Sequence, residues 1–146
     1  MSYQTGEAAF LTTLRLHADY GDKNTSRADW RILDSGLNSH YAVLRMGTAA
    51  NEQITISQAL TTWRTEIMLY ERYTAEGVTA VLLQGHIQTV IEHLEKYPTL
   101  QGLINDAQII TVSAMEQLQM IANGPMWARS IVTVEWNEER TINYTF

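Results

Sequence analysis

The first recurring set of apolar positions, Leu11, Leu14 and Ala18, falls at helical spacing behind Thr5, which stands where a cap would. It predicts a short amphipathic helix over residues 7–19. Between residues 21 and 39 the periodicity dissolves into Gly, Asp, Asn, Ser and Thr, interrupted by Trp30, Ile32 and Leu33. That texture predicts a long loop anchored by Trp30. Residues 41–46 then read as a strand stopped by Gly47, and residues 53–57 as a second strand, with 48–52 as the connecting turn.

From residue 61 to 73 the alternation is long. Trp63, Thr65, Ile67 and Leu69 point one way, and Arg64, Glu66, Met68, Tyr70 and Arg72 the other, so one face is expected in the core and the opposite face is amphipathic. At Thr74 the period changes to 3.6. Ala80, Leu83, Ile87, Val90, Ile91 and Leu94 form a stripe that predicts a helix over 75–96, capped by Thr74, with Glu76 suited to the dipole of its first turn and Pro98 ending it. Residues 106–112, rich in Ile, Thr and Val, predict a strand. Residues 113–122 either continue it or, through the capping-box pattern Ser113-Ala114-Met115-Glu116, start a short helix. After the turn signal Asn123-Gly124, residues 127–136 alternate as a returning strand, Asn137-Glu138-Glu139 breaks it, and 138–146 forms a tail with a last short extended piece. No repeat or Pro/Gly-rich linker divides the chain. The elements predict one α+β domain over residues 1–146, a small mixed or antiparallel sheet packed against one long and one short helix.

Charge and composition narrow the chemistry. Ten Lys and Arg against sixteen Asp and Glu leave a net charge of −6, which argues against a surface built to hold nucleic-acid phosphates. The absence of Cys excludes disulfides, thiolate metal sites and thiol nucleophiles. With no basic leader and no run of 18 apolar residues, the chain reads as soluble, without a signal peptide or membrane span. Among the four histidines, His86 and His93 stand seven apart, about 10 Å along a helix, too far to share an ion from an unbroken helix. His17 and His40 are isolated in sequence. Glu135, Glu138 and Glu139 have no nearby base or acid partner, and phosphate-cradling Gly loops and a serine elbow are absent. The residues therefore predict no catalytic, cofactor-binding or metal site. Trp63, Trp127 and Trp136 suit core packing at sheet ends. The face carrying Arg64, Glu66, Tyr70 and Arg72 mixes both charges with an aromatic, a composition fit either for a wet protein contact or for an ordinary solvated sheet.

The order of elements, together with HYAVLRMG from His40, TTWRTEIMLYERY from Thr61 and WARSIVTVEWNEE from Trp127, resembles the tail terminator or tail-completion proteins of long-tailed bacteriophages over about residues 5–137. The resemblance implies a small α+β virion protein without catalytic residues or cofactor. Six copies would form a ring that caps the tail tube and joins it to the head connector, with DNA passing through the lumen unbound. Its partners would then be copies of itself, the tube protein and neck proteins, assembled in the host cytoplasm and retained in the virion. Within that reading Arg64, Glu66, Tyr70, Arg72 and Trp30 are the expected subunit contacts. Alternative readings are another neck or head-completion protein, or a small enzyme or binding domain with a pocket between sheet and long helix that uses His86 or Tyr70.

Overall fold

A computed structural model describes residues 3–35, 38–100 and 107–143. In chain order the elements are α1 (Tyr3–Leu14), β1 (Thr25–Arg27), a 3-10 helix (Trp30–Ser35), β2 (His40–Thr55), β3 (Gln58–Arg72), α2 (Glu76–Glu95), β4 (Ala107–Val112), β5 (Glu116–Gln119) and β6 (Met126–Thr141). They make a single domain, a six-stranded and mostly antiparallel sheet with two helices. The strand order is β1-β2-β3-β6-β4, with β5 also on β6, and β1 alone runs parallel to its neighbour. No helix among the described residues is long and apolar enough to cross a membrane.

The helix-facing side of the sheet is built by alternation. Ala42 and Leu44 of β2, Ile67 and Leu69 of β3, and Val132, Val134 and Trp136 of β6 form one core with Phe10 and Leu14 of α1 and Leu83, Val90 and Leu94 of α2. The predicted first helix is displaced. It begins by Tyr3 and ends at Leu14, and the stripe it buries is Gly6, Ala9, Phe10, Thr13 and Leu14, while Ala18 is exposed. The cause is Trp136, whose indole lies so close to α1 that a Cβ on Gly6 would stand 2.1 Å from its ring. Only a glycine lets the helix settle there.

Four further expectations are corrected. Residues 21–39 are no featureless loop, because β1 pairs with Ala42–Leu44 and the 3-10 helix follows; residues 36 and 37 of that segment lie outside the described residues. The two strands and turn expected over 41–57 are one strand, β2, which passes Gly47 through a register irregularity between Met46 and Ala49 and turns back only at Ile56 and Ser57. A Cβ on Gly47 would lie 3.2 Å from the Arg64 carbonyl, so this glycine permits close passage where a stop was expected. Asn137-Glu138-Glu139 does not break the last strand, since each pairs with β3 and β6 runs to Thr141; residues 144–146 of the expected tail lie outside the described residues. Ala75 occupies the cap position of α2 with no side-chain cap, and the Thr74 amide instead donates to Thr79 Oγ1 at 3.0 Å.

The open choice over 113–122 resolves in part: no helix forms there, and residues Glu116–Gln119 make a short separate strand, β5. β4 and β5 lie end to end along β6, and Ser113 bridges the gap between them. Its amide donates to the Ile131 carbonyl at 2.9 Å, and its Oγ accepts the Ile131 amide at 2.8 Å.

The hairpin of β2 and β3, joined by β6, extends past the helices as a blade. Residues 48–55 of β2 are all exposed, and Ile56 at its turn is 77% exposed. At its base Tyr3 rests against Trp63 and Trp136 and donates to Glu7 Oε2 at 2.7 Å. Burial pushes its phenol above the ordinary tyrosine value, opposed by its contact with Thr65 and reinforced by Glu7. The folded state thus holds this proton more tightly than the unfolded chain. The associated stability is present in full below about pH 10 and is lost as pH rises through the folded value. Thermal melts at rising alkaline pH should show a shallower decline in Tyr3→Phe than in the wild type; parallel declines would remove Tyr3 from the account.

Candidate functional site

The residues expected at a subunit contact divide into three environments. Tyr70 is fully buried, with Trp30 Nε1 donating to its hydroxyl at 2.7 Å. Both belong to a second core on the far side of the sheet, where Tyr41, Val43, Met68, Tyr70 and Trp127 pack with Leu33 of the 3-10 helix. Half of the face expected to be amphipathic is therefore interior. Arg72 lies over the Trp127 ring at 5.4 Å, and its Nε is buried without a hydrogen bond among the described residues. Arg64 and Glu66 remain at the surface, yet each faces an opposite charge on the next strand. Arg64 meets its register partner Glu135 at 3.2 Å, and Glu66 meets its register partner Arg45. The remaining half of the face is thus a cross-strand ladder of ion pairs.

The groove between α2 and the sheet, about 400 Å³, is lined by Ile91, Leu94, Ala107, Ile109 and Val134. Neither His86 nor Tyr70, the polar groups the pocket reading would use, borders it.

The four histidines, isolated along the sequence, are gathered in space. His17 and His93 meet edge to face at 5.2 Å. Tyr20 bridges from His17 at 6.2 Å to His40 at 5.6 Å, and His40 stacks on His86 at 4.3 Å. His93 Nε2 donates to the Thr13 carbonyl at 2.6 Å, tying α2 to the end of α1. Its role is a cross-link between helices, since a carbonyl only accepts and fixes the proton on that nitrogen.

His40 and His86 have a different company. His40 opens β2 and lies directly opposite Glu71 near the end of β3, and α2 sets His86 above the pair. One ring nitrogen of each histidine and one Glu71 oxygen lie within 4.8 Å of one another. Glu71 is 2% exposed. Its Oε2 stands 3.1 Å from His86 Nε2 but out of hydrogen-bond alignment, so that oxygen has no hydrogen-bond donor among the described residues. His40 Nε2 is 2.8 Å from the Asp19 carbonyl, which Asn24 Nδ2 also reaches at 2.8 Å. Asn24 Nδ2 also stands 3.3 Å from His40 Nε2; a proton on Nε2 serves the Asp19 carbonyl and leaves the ring's lone pair on Nδ1. Beside them the Tyr20 hydroxyl is buried without a partner among the described residues. Burial, with Asp19 and Glu71 adding to it, pushes its phenol well up.

Spacing along the chain could not reveal this group. The signal was the antiparallel match of residues 40–46 with 65–71, which puts His40 across from Glu71 on the helix-facing side. No protein-family model matches the chain, and no curated protein matches it.

Proposed function

We propose that the chain is a ring-forming structural subunit of a phage tail end, a terminator that closes the tail tube and joins it to the head connector. The resemblance in element order and strand texture supplies the reading. The observation that carries it is a pair of unlike apolar patches on one subunit. Ile54 and Ile56 stand exposed at the end of the blade, and Val78, Val81 and Leu82 stand exposed on the outer face of α2. Clustered apolar surface of this kind marks a protein contact, and a closed ring needs two different surfaces because its contacts run head to tail. The ion-pair ladder is a weaker candidate, since its charges are already neutralised within the subunit. In this reading the protein catalyses nothing, takes no cofactor for chemistry, and belongs to the virion after assembly in the host cytoplasm. Its net charge of −6 per copy suits a lumen through which DNA slides without being held.

Two single substitutions test the reading. Ile56→Asp and Val81→Asp each place a charge on one patch, in a turn and on an exposed helix face, where folding should change by less than about 0.5 kcal/mol. Each alone is expected to stop assembly on tail tubes, seen by negative-stain imaging, while circular dichroism and melting temperature stay near wild type. An equimolar mixture should yield a heterodimer by light scattering, because each variant retains the patch the other has lost. If both variants still form rings of normal stoichiometry, the two patches are not the contacts.

A further inference from the structure

We propose that His40, Glu71 and His86 form a binding site for a zinc-class divalent cation, which braces the start of β2, the end of β3 and α2. The inference stands on the geometry of these three residues and is independent of the assembly reading.

Two imidazoles and one carboxylate are the ligands of a borderline transition metal and leave a fourth position open for water. Calcium and magnesium, which favour oxygen ligands, fit it poorly. The Glu71 carboxylate points to a cation as well. A buried carboxylate is strongly disfavoured unless a cation or several donors meet it, and here Oε2 has no aligned donor among the described residues. A cation between Glu71 and the two rings supplies the missing charge.

Histidines that bind metal characteristically donate their other ring N–H to a carbonyl or carboxylate, which fixes ring and tautomer. His40 does this through Nε2 to the Asp19 carbonyl, held in the turn after α1 that Asn24 also ties down. Tetrahedral ligands about 2.1 Å from zinc stand about 3.4 Å apart. The His86–Glu71 pair, at 3.1 Å, is already near that spacing, and His40, stacked on His86 at 4.3 Å with a ring nitrogen within 4.8 Å of the other two ligand atoms, turns out of the stack to reach the same ion. His86 keeps 18% of its side chain exposed, which gives an ion a way in.

The expectation from sequence that no metal site exists rested on the spacing of His86 and His93. That pair indeed does not converge, since His93 is engaged with Thr13. The ligand partner of His86 comes from β2, 46 positions earlier in the chain.

The test uses tag-free protein stripped with chelator and titrated with Zn²⁺ by calorimetry, and with Co²⁺ by visible absorption. One equivalent is expected to bind, with the intense cobalt bands of a tetrahedral site and a rise in melting temperature. His40→Gln and His86→Gln should each weaken binding at least tenfold and abolish the melting shift, with circular dichroism unchanged. His93→Gln should bind like wild type. Glu71→Gln extends the series if it folds, and the half-exposed His40 keeps the test decisive if it does not. The proposal is overturned if wild type binds no stoichiometric metal, or if His93→Gln or His17→Gln loses as much affinity as His40→Gln. It is equally overturned if the cobalt spectrum is that of the hexa-aquo ion.

Discussion

Trp136→Ala is expected to lower folding stability by about 3–5 kcal/mol, a fall of roughly 10–15 °C in melting temperature for a domain of this size. Trp136 is fully buried. Its ring touches Tyr3 and Phe10, its Nε1 donates to Thr65 Oγ1 at 3.1 Å, and it forms the ledge on which α1 rests at Gly6. Removing it leaves a cavity between sheet and helix and deprives the Thr65 hydroxyl of its indole donor. The same ledge makes Gly6→Ala costly in the wild type, about 1–3 kcal/mol from overpacking against the indole, even though alanine favours a helix interior by about 1 kcal/mol. In the Trp136→Ala background the clash is gone, and Gly6→Ala should become neutral or stabilising. A double-mutant cycle by urea denaturation reads this directly. If the effects of the two substitutions simply add, the indole does not set the position of α1.

The second large effect concerns the far side of the sheet. Trp127→Ala should cost about 3–5 kcal/mol as well, although Trp127 shares its face of β6 with Arg129 and Glu135. Trp127 is 2% exposed, edge-on to Tyr41 at 5.6 Å and to Tyr70 at 6.5 Å, and covered by the Arg72 guanidinium. Its loss should also loosen the 3-10 helix, which is fastened to the same cluster through Leu33 and the Trp30 to Tyr70 hydrogen bond. Hydrogen exchange should therefore accelerate at residues 30–35 more than in α2. A loss under about 1 kcal/mol with unchanged exchange would mean that the second core carries little of the fold.

These two tryptophans sit nine residues apart on β6 and face opposite sides of the sheet, and the sequence treats them alike. Alternation assigns each residue to a side. It does not say what covers that side. The helix-facing core was legible because Ile67, Leu69, Val132 and Val134 alternate without interruption and α2 offers a matching stripe. The second core was not, because its lid is a short 3-10 helix lacking periodicity and its apolar members stand beside Arg64, Glu66 and Arg72. The same limit applies to the expected contact residues. Tyr70 and Trp30 resemble interface aromatics by type, but Tyr70 is buried and Trp30 is hydrogen-bonded to it within the chain.

The sequence by itself determined the long strand β3, the long helix α2, the alternation along β6 and the mixture of helix and sheet, since these depend on periodicities local to each segment. Tertiary structure decided the rest. It placed Gly6 against Trp136, carried β2 past Gly47 in register with β3, and made Glu116–Gln119 a short edge strand by giving it β6 to pair with. It also brought His40, Glu71 and His86 within reach of one ion. Each of these is set by which backbone lies alongside which, a long-range pairing whose energy is not stored in any one segment, so no local pattern along the chain could carry it.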